Sequence, residues 1–196
     1  EEPDEPDLLK SGMFTGKGLI DTDCKNNSVS FKKEGVRIDL GGIAKGYAID
    51  RAGSILKNGN ITDFIVNYGG DMLVCGKKET KPWTVGIKNP GDKENILKTL
   101  TFTRTGCQGI ATSGDYERFF VINGKKYSHI FDPRTGRPSE NASSVTVVAD
   151  SAVKADAIAT AVSVLINEEH KIKKIMEKFN VKIYTSGGPE MKWIEW

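Results

Sequence analysis

The sequence predicts an α+β domain: a mixed, mainly antiparallel sheet with hairpins, covered by helices. Three observations carry that expectation. Short alternating or β-branched runs recur along the chain and outnumber the helical periodicities. Several are joined by hairpin turns, Asn123-Gly124 being the plainest, because Asn-Gly supplies the left-handed backbone of a tight two-residue turn. Other strands run through glycines into helices, which favours helices laid on a sheet over an all-β meander.

Taken in order, the acidic, proline-bearing leader Glu1 to Asp7 is followed by a helix remnant and turn over Leu8 to Gly18. Strands are expected at Gly18 to Asp23 and Ser28 to Lys32, around the polar turn Lys25-Asn26-Asn27, and at Gly35 to Leu40. A helix from Ile43 to Lys57 carries Ala44, Ala48 and Ala52 every four residues, a narrow face suited to close packing. Phe64 to Tyr68 and Met72 to Cys75 are strands broken at Gly69-Gly70-Asp71. Trp83 to Lys88 and Thr99 to Thr105 flank the loop Asn89-Pro90-Gly91-Asp92. Phe119 to Ile122 pairs with Lys125 to Ile130, and Ser144 to Ala149 is a further strand. Ser151 caps a helix to Ile166, Glu168 to Phe179 forms another that stops at Asn180, and Val181 to Thr185 is a late strand.

The length of 196 residues suits a single domain over 1–196. Basic and acidic residues nearly balance, 28 against 26, and are spread along the chain. That argues against a nucleic-acid partner, which calls for a basic face or tail. No apolar run approaches the ~20 residues that span a bilayer, and Glu1 to Asp7 lacks the layout of a secretory signal. Cys24, Cys75 and Cys107 lie far apart without a Cys-x-x-Cys pair, so free thiols are expected rather than a zinc site or disulfide framework. Two histidines, His129 and His170, are too few for a histidine-rich metal cluster, and the chemistry must lean on oxygen ligands and backbone.

Four constellations carry chemistry. In Val36 to Ala48 a strand runs through Gly41-Gly42 into a helix whose first turn holds Lys45. Glycines let a ligand approach the backbone, and free N–H groups at a helix start attract anions. Asp39 at the strand end suits a sugar hydroxyl or a cation. A tight turn with close helix–sheet packing explains the same residues equally well. In Ala155 to Ala161, Asp156 and Thr160 are four apart and project from one helix face. With a backbone carbonyl they suit Mg²⁺, which prefers oxygen ligands at about 2.1 Å; they are also ordinary solvated helix residues. In Ser128 to Pro138, His129 can move a proton or bond a phosphate, or Asp132 simply caps the turn and His129 is a satisfied ring. Ala111 to Glu117 is a small polar turn whose hydroxyls and N–H groups can take a phosphate or an adenine edge, or merely lead into the next segment. His170, between Glu169 and Lys171, is solvated surface.

In this order, five segments resemble the ApbE family of FAD:protein FMN transferases. They are Asp-Leu-Gly-Gly-Ile-Ala-Lys-Gly at 39 to 46, Asn-Tyr-Gly-Gly-Asp at 67 to 71, Ala-Thr-Ser-Gly-Asp-Tyr at 111 to 116, Ser-His-Ile-Phe-Asp-Pro-Arg-Thr-Gly-Arg-Pro at 128 to 138 and Ala-Asp-Ala-Ile-Ala-Thr-Ala at 155 to 161. The resemblance implies an enzyme that splits the FAD pyrophosphate with Mg²⁺, transfers FMN to a threonine hydroxyl of a target flavoprotein and releases AMP. The alternatives are hydrolysis of FAD to FMN and AMP, or a non-catalytic FAD-binding protein. Carried over by motif, the metal shell is the Gly42 carbonyl with Asp156 and Thr160; Asp39, Lys45 and Ala142 contact FAD; His129 assists phosphoryl transfer. The family works outside the cytoplasm, often as lipoproteins, so an extracytoplasmic location is implied, with membrane contact through a lipid anchor outside this chain. Family members carry a substantial N-terminal portion that supplies part of the flavin pocket, and this chain is expected to be short of it.

Overall fold

The structure, a computed structural model, describes residues 16–90, 92, 94–103, 105–114, 119–139, 144–187 and 192–195. Ala142, Asp115-Tyr116-Glu117 and the expected helix remnant up to residue 15 lie outside the described residues.

After a 3₁₀ turn (Lys17–Leu19) come β1 (Ile20–Asp23) and β2 (Ser28–Phe31), then α1 (Ala44–Asn58), β3 (Phe64–Tyr68) and β4 (Asp71–Cys75). Next are β5 (Lys77–Lys78), β6 (Lys81–Lys88), β7 (Ile96–Phe102) and β8 (Cys107–Ser113). Short strands follow: β9 (Phe119–Ile122), β10 (Lys125–Ser128), β11 (Phe131–Asp132) and β12 (Arg137–Pro138). The chain continues with β13 (Ser144–Ala149), α2 (Ala152–Leu165), α3 (Glu169–Phe179), β14 (Lys182–Gly187) and β15 (Lys192–Glu195). The α+β class with antiparallel pairing and helical cover is thus observed: every described strand pair is antiparallel.

The chain divides into two compact units, Glu1–Asp39 with Phe119–Glu140, and Leu40–Arg118 with Asn141–Trp196. The first holds three two-stranded hairpins, β1–β2, β9–β10 and β11–β12. In the β11–β12 turn, Asp132 Oδ1 accepts from the Arg134 N–H at 2.8 Å and the Asp132 carbonyl accepts from Gly136 N–H at 2.8 Å. Asp132 therefore does cap its turn.

The second unit is built on a six-stranded sheet in the order β15-β14-β13-β8-β4-β3. Strand side chains alternate between faces, and the core follows that period. Val145, Val147 and Ala149 of β13 join Ala111 and Ile183 beneath Ala155, Ile158, Ala159 and Val162 of α2 and Ile172 of α3. Val148, Ile110, Val74 and Tyr184 face the other way, onto Val85 and Ile87 of β6 and Leu100 and Phe102 of β7. The sheet is accordingly covered by helices on one side and by the β6–β7 hairpin on the other.

Four expectations are corrected. Residues 36–40 form no regular strand; beyond Gly35, which takes a φ of 89°, no described strand offers them a ladder. Residues 103 and 105 lie beyond the end of β7, while 107–113, expected to end as a polar turn, is the centrally placed β8. Helix α1 packs through Gly46, Ile49 and Gly53, not through the alanine row, of which Ala44 and Ala48 are exposed. Cys75 and Cys107 are not free: β4 and β8 set them directly opposite each other, and a disulfide joins them. Cys24 is a free, exposed thiol.

Candidate functional site

The second unit brings the start of α1 against α2. The Leu40 carbonyl accepts from both Ile43 N–H (3.0 Å) and Ala44 N–H (2.9 Å), turning the glycine pair Gly41-Gly42 into the helix. Ile43 supplies no side-chain cap, and the first turn holds no acidic residue. The N–H groups of that first turn are answered locally: Ala44 donates to Leu40, Tyr47 donates to the Ile43 carbonyl at 3.1 Å, and Gly46 donates to a side chain of α2. What the turn offers a ligand is therefore the positive end of the helix and the cation of Lys45.

Two glycines set how close the helices come. A Cβ on Gly42 would lie 3.1 Å from Thr160 Oγ1, so the turn rests on the Thr160 side chain. At Gly46 a Cβ would meet the Ala152 carbonyl oxygen at 2.5 Å and Val153 Cα at 2.6 Å. Only hydrogen fits there, and the approach lets Gly46 N–H donate to Asp156 Oδ2 at 2.9 Å. Asp156 is 3% exposed, against the alternative of a solvated surface pair. Burial pushes its carboxyl above the ordinary 3.8; the Gly46 N–H pulls it back, the charge of Asp71 pushes it further up, and Lys45 opposes. Thr160 Oγ1 also lies 3.3 Å from Ser113 Oγ at the end of β8.

A residue to which sequence reasoning gave no role completes the cluster. Asp71, the last residue of Asn-Tyr-Gly-Gly-Asp, is 1% exposed. Its Oδ1 accepts from Thr112 N–H at 3.0 Å, and its Oδ2 lies 2.5 Å from Lys45 Nζ. The available signal was the paired glycines before it: Gly69 and Gly70 take left-handed φ values of 62° and 97°, which marks a tight turn leading straight into β4. The hydroxyl of Thr112, for which a phosphate or adenine contact and a plain polar turn stood as alternatives, pairs with Thr146 Oγ1 at 2.9 Å.

Gly42, Lys45, Asp156 and Thr160 are therefore gathered in one unit. Asp39 and His129 belong to the other; both are exposed. His170 is exposed on α3, as expected of a solvated residue. Among the described residues no three of His, Cys, Asp and Glu gather as a metal cluster. The donors at hand are one carboxylate, one hydroxyl and backbone. Asp71, Asp156 and Lys45 together leave a net charge of −1 around the start of α1. A polyanion needs a further cation to enter such a field, and the site's oxygen donors suit a hard one.

Residues 5–185 match the ApbE family. The FAD:protein FMN transferase of Escherichia coli (strain K12) is 37% identical over 149 residues, which are 75% of this chain and 41% of the relative. That of Haemophilus influenzae is 32% identical over 189 residues, 94% of this chain and 54% of the relative. The crystal structure of the ApbE protein from Thermotoga maritima superposes with a TM-score of 0.89 at 34% identity, over 100% of this chain and 62% of that one. The flavin transferase ApbE from Vibrio cholerae does so with a TM-score of 0.79 at 28% identity, over 100% of this chain and 61% of that one. The chain thus spans about half the length of these curated relatives.

Proposed function

Because the chain belongs to the ApbE family, we propose that it transfers FMN from FAD to a threonine hydroxyl of a target flavoprotein, with Mg²⁺, and releases AMP. The observation that carries this reading is the contact of the α1 start with α2: Gly42 on Thr160 and Gly46 on Asp156. It sets the positive end of α1 and the ammonium of Lys45 beside a buried carboxylate and a hydroxyl, which is what a metal-bound pyrophosphate calls for.

The residues fit a magnesium ion. Asp156 is a buried carboxylate whose proton affinity is raised by desolvation, and a divalent cation relieves that cost. Its Oδ2 is engaged by Gly46, and Thr160 Oγ1 lies on the same helix face one turn on. With the Gly42 carbonyl they form the proposed shell. When bound, the metal neutralises charge on the phosphate oxygens. Lys45, at the positive end of α1, orients the pyrophosphate, and Asp39 and Ala142 are the proposed further contacts to FAD. His129 is the proposed hydrogen-bond or proton partner as the threonine oxygen bonds to the FMN phosphorus. The P–O bond to AMP then breaks, and AMP leaves with the bridging oxygen.

We further propose an extracytoplasmic location, with membrane contact through a lipid anchor. The Cys75–Cys107 disulfide supports the location, since such bonds persist in oxidising compartments. Among the described residues no helix is long and apolar enough to cross a membrane.

The test is incubation with FAD, Mg²⁺ and an acceptor flavoprotein domain bearing a flavinylation threonine. AMP release together with covalent flavin fluorescence on the acceptor in a denaturing gel is the expected result. AMP without labelling would replace transfer by pyrophosphate hydrolysis, and flavin binding without AMP would make the chain a binding protein.

A further inference from the structure

We propose that Asp71 is a positioning residue: it holds the Lys45 ammonium at the start of α1, where a phosphate of the bound dinucleotide is read. This rests on the phosphate-site reading above. Asp71 is 1% exposed and both its oxygens are directed to protein groups, Thr112 N–H and the Lys45 ammonium, so it acts through Lys45.

The geometry separates two jobs on its two oxygens. Oδ1 accepts from Thr112 N–H on β8 at 3.0 Å, which continues the β4–β8 ladder beyond its last backbone pair, Met72 with Ile110. That job is structural. Oδ2 takes no aligned hydrogen bond and is answered by the Lys45 charge, 2.5 Å away. The lysine is 34% exposed along its side chain while the aspartate is 2%. An ammonium on a flexible four-carbon stem otherwise samples many rotamers in water. A buried carboxylate that cannot be left uncompensated confines it to one end of the helix. The Asn-Tyr-Gly-Gly-Asp turn aims that carboxylate: Gly70 N–H donates to Asn67 Oδ1 at 3.1 Å, and both glycines adopt backbone open to few other residues.

A double-mutant cycle tests this with Asp71→Asn and Lys45→Ala, read by thermal unfolding and by calorimetric titration with magnesium pyrophosphate. Asparagine keeps an oxygen for Thr112 N–H and removes only the charge. We expect Lys45→Ala to lower the Tm, because it strands the buried carboxylate, and Asp71→Asn to restore it in the double variant. Each single variant should lose ~10- to 100-fold in pyrophosphate affinity, the order of one charge-assisted contact, and the double variant should lose no more than either. Losses that multiply, or an unchanged affinity in a folded Asp71→Asn, would overturn the proposal. Should Asp71→Asn not fold, Asp71→Glu replaces it: the charge stays but shifts along a longer arm. Affinity lost with Lys45 present and unchanged in the Lys45→Ala background supports the proposal, and the same loss in both backgrounds overturns it. Wild-type protein that binds no pyrophosphate overturns the phosphate-site reading itself, whereas binding without AMP release overturns only the transfer activity.

Discussion

A Cβ on Gly46 would lie 2.5 Å from the carbonyl oxygen of Ala152. The first turn of α1 thus crosses the start of α2 with only a hydrogen between the backbones, and the Gly46–Asp156 bond depends on that crossing.

Gly46→Ala must therefore push the helices apart, because the obstacle is backbone and cannot rotate away. Overpacking of this kind costs ~1–3 kcal/mol. We expect a lowered urea midpoint and, because Asp156 loses its Gly46 partner, loss of Mg²⁺-dependent AMP release. A variant with wild-type stability and turnover would show that α1 need not approach α2 this closely.

The sequence made α1 and α2 legible through their periodicity, and placed Asp156 and Thr160 on one face by their spacing of four. It did not reveal β8, because Cys107–Ser113 is mostly small residues, with Ile110 its one large apolar side chain. Gly109 sits where a Cβ would be 2.3 Å from the Ser151 carbonyl oxygen, and Ala111 is 1% exposed. A central strand crossed closely by a helix is selected for smallness rather than for β-branched bulk, and so resembles a turn. For the same reason the packing face of α1 was sought on its alanines, when closer contact is made by Gly46 and Gly53. The role of Asp71 and the pairing of Cys75 with Cys107 both follow from strand register, which local composition does not encode.

The start of α2 is capped from a different helix. Ser151 makes no side-chain cap bond, yet Asp50 of α1 accepts from Ala152 N–H through Oδ1 and from Val153 N–H through Oδ2, both at 2.9 Å. Removing a carboxylate that answers two such donors should cost ~2 kcal/mol in Asp50→Ala. Asp50→Asn, with one acceptor left, should lose roughly half of that. Chemical denaturation of both variants measures it; equal stabilities for Ala and wild type would mean that α2 is capped some other way.

The Cys75–Cys107 disulfide closes a loop with a sequence separation of 32. Reduction should lower stability by ~2–4 kcal/mol. Alkylation in denaturant without reductant should label Cys24 alone, and all three cysteines after reduction. Three labels without reductant would show the pair to be thiols and would remove the structural support for an oxidising compartment.

Asp156 gives a stability signal whose sign can be worked out for the metal-free protein. Its folded carboxyl binds a proton more tightly than the ordinary 3.8, chiefly through burial. Between 3.8 and that raised value the native state holds more protons than the unfolded chain, so stability falls as pH rises through this window. Above it the full cost of the buried charge is present. Asp156→Asn keeps an oxygen for Gly46 N–H and removes the charge, so in chelator its Tm should exceed that of the wild type at neutral pH. The two should converge as pH falls towards 3.8. Added Mg²⁺ should reverse the order, since binding stabilises only the protein that retains the carboxylate. A wild type whose Tm ignores Mg²⁺, or a variant that gains as much from it, would remove Asp156 from the metal shell.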